Sequence, residues 1–426
     1  MSSATVTDAE GNLPETGTAA RASRAIGEAL SGHHNSLGFL RLVLASVVIF
    51  DHAFPLGGFG PDVLWVITKG QASLGSVAVD GFFAISGYLI AKSAMSADIL
   101  QFMWRRFLRI FPAYWTLLVV TAFVVIPIVW IAQGQNIADY FHLGGAGPFH
   151  FVTGNWTLRI GSYGIWDVFQ NTTPYGRSIG ASAVNGSIWT LIYEWNCYLL
   201  IAVLLVFGIL KRAKIVVPLV TLFLFVLQVV LYVSPKSLVA FVPWLDDQYT
   251  ITLTLTFMLG ACIAVYSKSI PYSNGLGILS GLVFLYTLHA GGFQQLGVPA
   301  GVYLVLYLGA RLPRVLQRVG AKNDYSYGVY IYGFLVEQIL ARVGLYKLGY
   351  FPFVLGTLVL SLGMAWLSWH VVEKRAMSLK DWGPGRGLRY WWDTNLERRR
   401  RAKAIAQSKG DGRAMTPPTA VTEDGK

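Results

Sequence analysis

The residues that could do chemistry in this chain are few. Most sit inside apolar runs, where an ionisable side chain is costly and by default marks function. Arg41 and His52 lie in the run Ser36–His52, SLGFLRLVLASVVIFDH. On a helix, the steps from 41 to 52 turn back to within about 20° of the start and advance about 16 Å, so both would share one stripe. An arginine fork matches a phosphate, and a neutral imidazole can take a proton from a hydroxyl or carry an acyl group. The separation is close to the reach of a pantetheine arm. The alternative for His52 is a hydrogen-bonded packing residue. Asp51 competes with it but points about 100° away, so the two cannot face one cavity equally.

Three further segments add candidates. Asp80 stands in VDGFFAISGY (79–88) and needs a partner, for which His52 or an arginine is expected. Ser86 and Gly87 there are small enough for close helix packing; no nucleophile elbow surrounds Ser86. Arg105, Arg106 and Arg109 fall in WRRFLRIFPAYW (104–115), with Arg106 and Arg109 on one helix face. They read either as anchors at a membrane boundary or as an anion site for a phosphorylated donor, since no acid stands near them in sequence. In SIWTLIYEWNCY (187–198), Glu194 could orient a histidine, hold an acceptor hydroxyl or pair with an arginine. Trp189 and Tyr193 beside it are the candidate acceptor contacts. Asp324 and Glu373 begin and end the last two apolar stretches, and Glu373 by itself reads as an interface residue. Cys197 and Cys262 have neither disulfide nor zinc spacing, and no metal site is expected.

The elements that must position these groups follow from composition. Of 426 residues, 54% are hydrophobic and 13% charged, against about 25% charged in ordinary soluble domains. A disordered or disulfide-stapled chain is thereby excluded, and a polytopic all-α membrane bundle is expected ahead of a soluble enzyme. Ten apolar stretches can span a bilayer: 37–54, 77–93, 113–132, 187–209, 215–233, 250–266, 274–290, 297–311, 325–342 and 352–372. With the N-terminus inside, Lys92, Arg105, Arg106, Arg109, Lys211, Arg212 and Lys214 fall in inner loops, which fits ten spans with both ends cytoplasmic. The same topology explains the net charge of +12 without nucleic acid. Residues 1–35 read as a disordered cytoplasmic arm with a short helix near 21–30. Residues 36–380 form the membrane domain. Residues 381–426 form a basic tail, in which Tyr390, Trp391 and Trp392 beside Arg398–Arg401 suit the membrane interface or a solvated tail, followed by disorder. The long loop 133–186, on the outer side, is either a plain connector or an acceptor-binding cap in which Trp156, Tyr163, Trp166 and Tyr175 would face sugar rings.

Together these segments resemble the acyltransferase-3 family of integral membrane acyltransferases, which includes bacterial O-antigen and exopolysaccharide O-acetylases. The likeness runs from about Leu37 to Leu379. Arg41 and His52 fit its Arg-x10-His pattern. Val79–Tyr88 is similar to its D-x-F-F-x-x-S-G-Y segment, Arg106–Trp115 to its R-x-x-R-I-x-P-x-Y-W, and Trp189–Glu194 to its W-T-L-x-x-E. Two departures stand out. Gly333 occupies a place where many members carry a histidine, and Glu373-Lys374-Arg375 replaces a Glu-x-Pro ending. The resemblance implies His52 as the essential base, and Arg41, Arg106 and Arg109 as donor-binding groups. It implies an acyl-CoA, acetyl-CoA above all, as co-substrate with no tightly bound cofactor. A carbohydrate or glycolipid hydroxyl would be the acceptor, in a bacterial inner membrane. Arg105 is a further donor-binding candidate, and Asp80 and Glu194 are further catalytic candidates. The rival expectation is a proton-coupled transporter or flippase, with Asp51, His52, Asp80 and Glu194 as its relay. An acyltransferase acting on lipid or protein is a third.

Overall fold

The computed structural model describes residues 25–32, 35–234 and 247–410. Ten helices fill the ten expected stretches: α1 Leu37–Gly57, α2 Leu74–Ala94, α3 Ile99–Val120, α4 Leu191–Val206, α5 Val216–Val233, α6 Gln248–Val265, α7 Asn274–Ala290, α8 Val298–Arg311, α9 Ser326–Arg342 and α10 Tyr350–Ser368. A last helix, α11, covers Gly387–Gly410. Among the described residues there is no strand beyond one isolated bridge, Ala25 to Pro271. Among the described residues, eight helical segments are long and apolar enough to cross a membrane by length and composition. The other two of the ten, α7 and α9, have 17 residues each. Large apolar side chains face outward on the peripheral helices, such as Leu222 and Phe223 of α5, Ile278 and Leu282 of α7, and Phe351 and Leu355 of α10. That is the surface a bilayer requires. The protein is a multi-pass all-α membrane bundle.

Local chemistry sets the helix ends. Ser73 and Ser76 form a reciprocal capping box at the start of α2, and Asp98 caps α3 through the Gln101 N–H. Gly58, at φ +74°, terminates α1. Two helices run past their apolar stretches. α3 begins fourteen residues before its expected start at 113, because the arginine-rich turn that lowers hydropathy is still helical. It continues through a π turn, Thr121–Val125, to Ile131. α10 likewise continues through a π turn, Trp369–Glu373, into Lys374–Ser378. Arg105, Arg106 and Arg109 therefore project from a helix rather than a loop.

Two contacts organise the interior. α2 and α6 touch backbone to backbone: a Cβ on Gly87 would lie 1.9 Å from the Phe257 carbonyl oxygen, and one on Gly260 2.2 Å from that of Ala84. Of the two small residues expected to allow close packing, Gly87 does so, while Ser86 turns toward Glu194. The second is α9, where every residue from Ser326 through Gln338 is buried. Enclosed by α1, α10 and the 187–190 turn, it is shielded from lipid and can carry Glu337 and Gln338 at mid-helix.

Of the expected arm 1–35, residues 1–24 lie outside the described residues. Its described part, with the one-turn helix Ile26–Ala29, is packed against the bundle: Ile26 and Leu30 are buried, and the Ile26 N–H donates to the Ile270 carbonyl. Residues 411–426 of the tail also lie outside the described residues. The long loop is a folded cap with helices Ile137–Tyr140, Pro148–Asn155 and Pro174–Ile179 and buried Ile165, Val168 and Phe169.

Candidate active site

The arginines gather at one end of the bundle. Arg41 of α1 donates to Asp324 Oδ2 at 2.7 Å, and Arg109 of α3 donates to the same oxygen at 2.6 Å. Arg109 also reaches Glu373 Oε2 at 3.4 Å. The π turn of α10 helps aim Glu373 inward, where Ser368 Oγ donates to its other oxygen. Ser326 donates both its N–H and its hydroxyl to Asp324 Oδ1. Two expectations change here. The arginines have acids, brought from more than 200 positions away in the chain, and Glu373 is buried rather than interfacial. Burial alone would push the Asp324 carboxyl up, but the Arg41 and Arg109 guanidiniums outweigh it and hold the group at about 2. Arg105 pairs at 2.8 Å with exposed Asp381. Arg106 has no ion pair within 4.0 Å among the described residues. It lies over the Tyr198 ring, 6.0 Å from its centroid.

Midway lies a small chamber lined by Arg41, Ser86, Thr190, Glu194, Tyr327 and Tyr330, among others. Glu194 Oε1 accepts from Tyr198 at 2.5 Å and from Ser86 at 3.3 Å. Thr190 and Tyr330 share a hydroxyl contact of 2.6 Å. Glu194 is thus the acid of the chamber, five residues on from Trp189, but it does not touch His52. Asp80 is elsewhere: it accepts from Thr256 of α6 at 3.2 Å and borders an apolar cavity against α8. Its partner is neither His52 nor an arginine.

His52 lies toward the other end of α1. Its Nδ1 is 3.8 Å from Glu337 Oε2, and its ring meets Phe334 edge-on at 5.4 Å. Glu337 is fully buried, and both its oxygens and His52 Nδ1 have no hydrogen-bond partner among the described residues. His52 keeps 19% of its side chain exposed, so the imidazole can meet a substrate while the carboxylate behind it cannot. The pair stands beyond hydrogen-bond length. Glu337 was missed in the sequence. The available signal was an acid inside an apolar stretch, the same criterion that selected Asp80. Asp51 turns away, against Gly75 at the start of α2.

The cap closes over this end. Gln338 donates to the Ala183 carbonyl at 2.6 Å, Asn185 to that of Ile331 at 2.8 Å, and Tyr175 meets Phe334 edge-on. Trp156 stacks on Trp115, and Trp166 donates to the Tyr140 carbonyl, so these two brace the cap. Tyr163 lines an open cleft of about 470 Å³ with Arg159, Trp189, Tyr193 and Tyr249. Trp189 meets Tyr249 edge-on at 4.7 Å, and the Tyr193 hydroxyl donates to Asp247. Both candidate acceptor contacts therefore share one aromatic cleft with a cation, Arg159.

The comparisons agree with a bundle of this kind. The family model described as "Acyltransferase domain", that of the acyltransferase-3 family, matches residues 34–370. The chain belongs to this family and is a membrane acyltransferase. It is 29% identical over 359 residues to the "O-acetyl transferase" of Shigella phage Sf6, covering 81% of this chain and 96% of that protein. It is 28% identical over 377 residues to "Nodulation protein 10" of Rhizobium leguminosarum bv. viciae, covering 82% and 95%. A shorter match, 28% over 137 residues, joins 30% of it to 19% of the "Peptidoglycan O-acetyltransferase OatA" of Listeria monocytogenes. No solved structure matches it.

Proposed function

We propose that the protein transfers an acetyl or similar short acyl group from an acyl-CoA to a carbohydrate hydroxyl. The donor would enter from the arginine-rich end, taken as cytoplasmic, in a bacterial inner membrane with both termini inside. The observation that carries this reading is the alignment of two pairs along α1, Arg41 with Asp324 just before α9 and His52 with Glu337 within it. An arginine-rich end and a proton-accepting end are thereby held about 16 Å apart along one helix. The acetyltransferase names of two relatives support the acyl group, and the aromatic cleft supports a sugar acceptor.

In the reaction, His52 takes the proton of the acceptor hydroxyl as its oxygen attacks the thioester carbonyl carbon. The carbon–sulfur bond breaks, the ester forms, and the departing thiolate recovers the proton from the imidazolium. Glu337 Oε2 faces Nδ1 at 3.8 Å and would stabilise the charged ring on closing to hydrogen-bond distance, which favours the base role over an acyl carrier. Glu194 and Ser86 would steady the arm of the donor in the chamber, with Arg106 beside them as a cation that has no ion pair among the described residues. The transporter alternative needs a continuous relay. Asp80, Glu194 and Asp51 instead bond to Thr256, to Tyr198 with Ser86, and at the Gly75 turn respectively.

The test is transfer of labelled acetyl from acetyl-CoA to cell-envelope glycan by membranes carrying wild type or His52→Ala. Label in the glycan with wild type and none with the variant supports the reading. Equal labelling by both would remove His52, and label that never leaves acetyl-CoA would remove the donor.

A further inference from the structure

Between the start of α1 and the segment before α9 lies a cavity of about 560 Å³. Its walls are Gly38 and Leu42 on one side and the chain from Arg318 to Ser326 on the other. Two glycines fix its shape. A Cβ on Gly38 would fall 2.9 Å from the Val319 carbonyl oxygen, and one on Gly320, which holds φ +75°, would fall 2.8 Å from Gly38 Cα. The segment is pressed backbone to backbone on the helix, and any side chain at either glycine would lift it away.

The charge of this cavity is one-sided. Arg318 and Lys322 line it, and neither has an ion pair among the described residues. The one acid in its lining, Asp324, is already taken by Arg41 and Arg109. Tyr325, also in the lining, adds an aromatic ring at the side of Trp369 and His370. Asp324 borders this cavity while its partner Arg41 borders the chamber of Ser86 and Glu194, so the ion pair stands between the two spaces. A ligand suited to this arrangement is anionic at the mouth, carries a flat ring, and extends a thin arm inward.

We infer that this cavity seats the phosphorylated nucleotide of the donor, with Arg318 and Lys322 as its phosphate-binding cations. Arg41 and Arg109 are then committed to holding Asp324 at the neck through which the arm passes toward His52. The inference rests on the acyl-CoA reading and places its nucleotide end on residues outside the arginine motifs. Phosphate groups favour free cations over cations already neutralised by a carboxylate.

The experiment measures binding of acetyl-CoA and of adenosine bisphosphate, the nucleotide end of coenzyme A, to the full-length protein in detergent. It compares wild type, the Arg318→Gln/Lys322→Gln double variant, and Ala321→Trp, which fills the cavity with its charges kept. Thermal unfolding confirms that each variant is folded. Both variants should weaken both probes by about tenfold or more, the effect of one lost charge-assisted contact. Wild-type affinity in both variants would overturn the inference and return the two cations to membrane anchoring. Weakening in the double variant alone would also overturn it, because the charges would then act from outside the cavity. A wild-type protein that binds neither probe would defeat the acyl-CoA reading itself, and the inference with it.

Discussion

His52 Nδ1 and Glu337 Oε2 face each other at 3.8 Å across the contact of α1 with α9, while Arg41 of the same α1 meets Asp324 just before α9 begins. Such a pair gives a sharp expectation. His52→Ala should lower acyl transfer by about a hundredfold or more, and Glu337→Gln, which keeps the shape, by about tenfold to a hundredfold. Turnover of each variant, measured beside its unfolding midpoint, checks this. A fully active Glu337→Gln would make the carboxylate a packing group.

Removing Arg109 leaves Asp324 with Arg41 alone and Glu373 buried without its cation. Arg109→Ala should therefore destabilise the protein by about 3 kcal/mol. Adding Glu373→Gln should recover part of the loss, because the uncompensated buried charge is gone. A double-mutant cycle on thermal or denaturant unfolding in detergent reads this coupling. Additive losses would mean that the pair is decorative.

Asp324 also sets an acid limit. Its folded value of about 2 lies below the value of about 3.9 for an unfolded aspartate. Its stabilisation is thus fully present above roughly pH 4 and is lost as the pH falls toward 2. Wild type should lose thermal stability across that window and converge on Asp324→Asn, whose midpoint lacks this component. Parallel curves for the two proteins would contradict the ion cluster.

The aromatic cleft predicts a selective kinetic effect. Trp189→Ala should raise the acceptor KM by about fivefold, consistent with one aromatic contact of roughly 1 kcal/mol, while leaving acetyl-CoA affinity unchanged. Tyr193→Phe, which loses the bond to Asp247, should act in the same direction. A change in donor affinity instead would move the acceptor elsewhere.

At the α2–α6 contact there is no room for a methyl group. Gly87→Ala or Gly260→Ala would press a carbon against a carbonyl oxygen at 1.9 or 2.2 Å, so each should cost about 1–3 kcal/mol through forced helix separation. Unfolding midpoints in detergent check it, and wild-type stability in both would refute the backbone contact.

The spanning stretches were legible in the chain because hydropathy is a local property. The shared stripe of Arg41 and His52 was legible because helical periodicity is fixed by the backbone. Helix ends were less so: the arginines of α3 masked its first turns, since charge lowers hydropathy without ending a helix. Partners were not legible at all. Asp324 and Glu373 reach Arg41 and Arg109, and Glu337 reaches His52, only because α9 and α10 return to pack on α1 and α3. Asp80, which reads like a histidine's partner, goes to Thr256 because its side of α2 faces α6. The sequence determined the bundle, its membrane setting and the stripe that carries the histidine. Which acid meets which base was decided by tertiary packing, since hydrogen bonds and ion pairs depend on distances of a few ångströms that no spacing along the chain encodes.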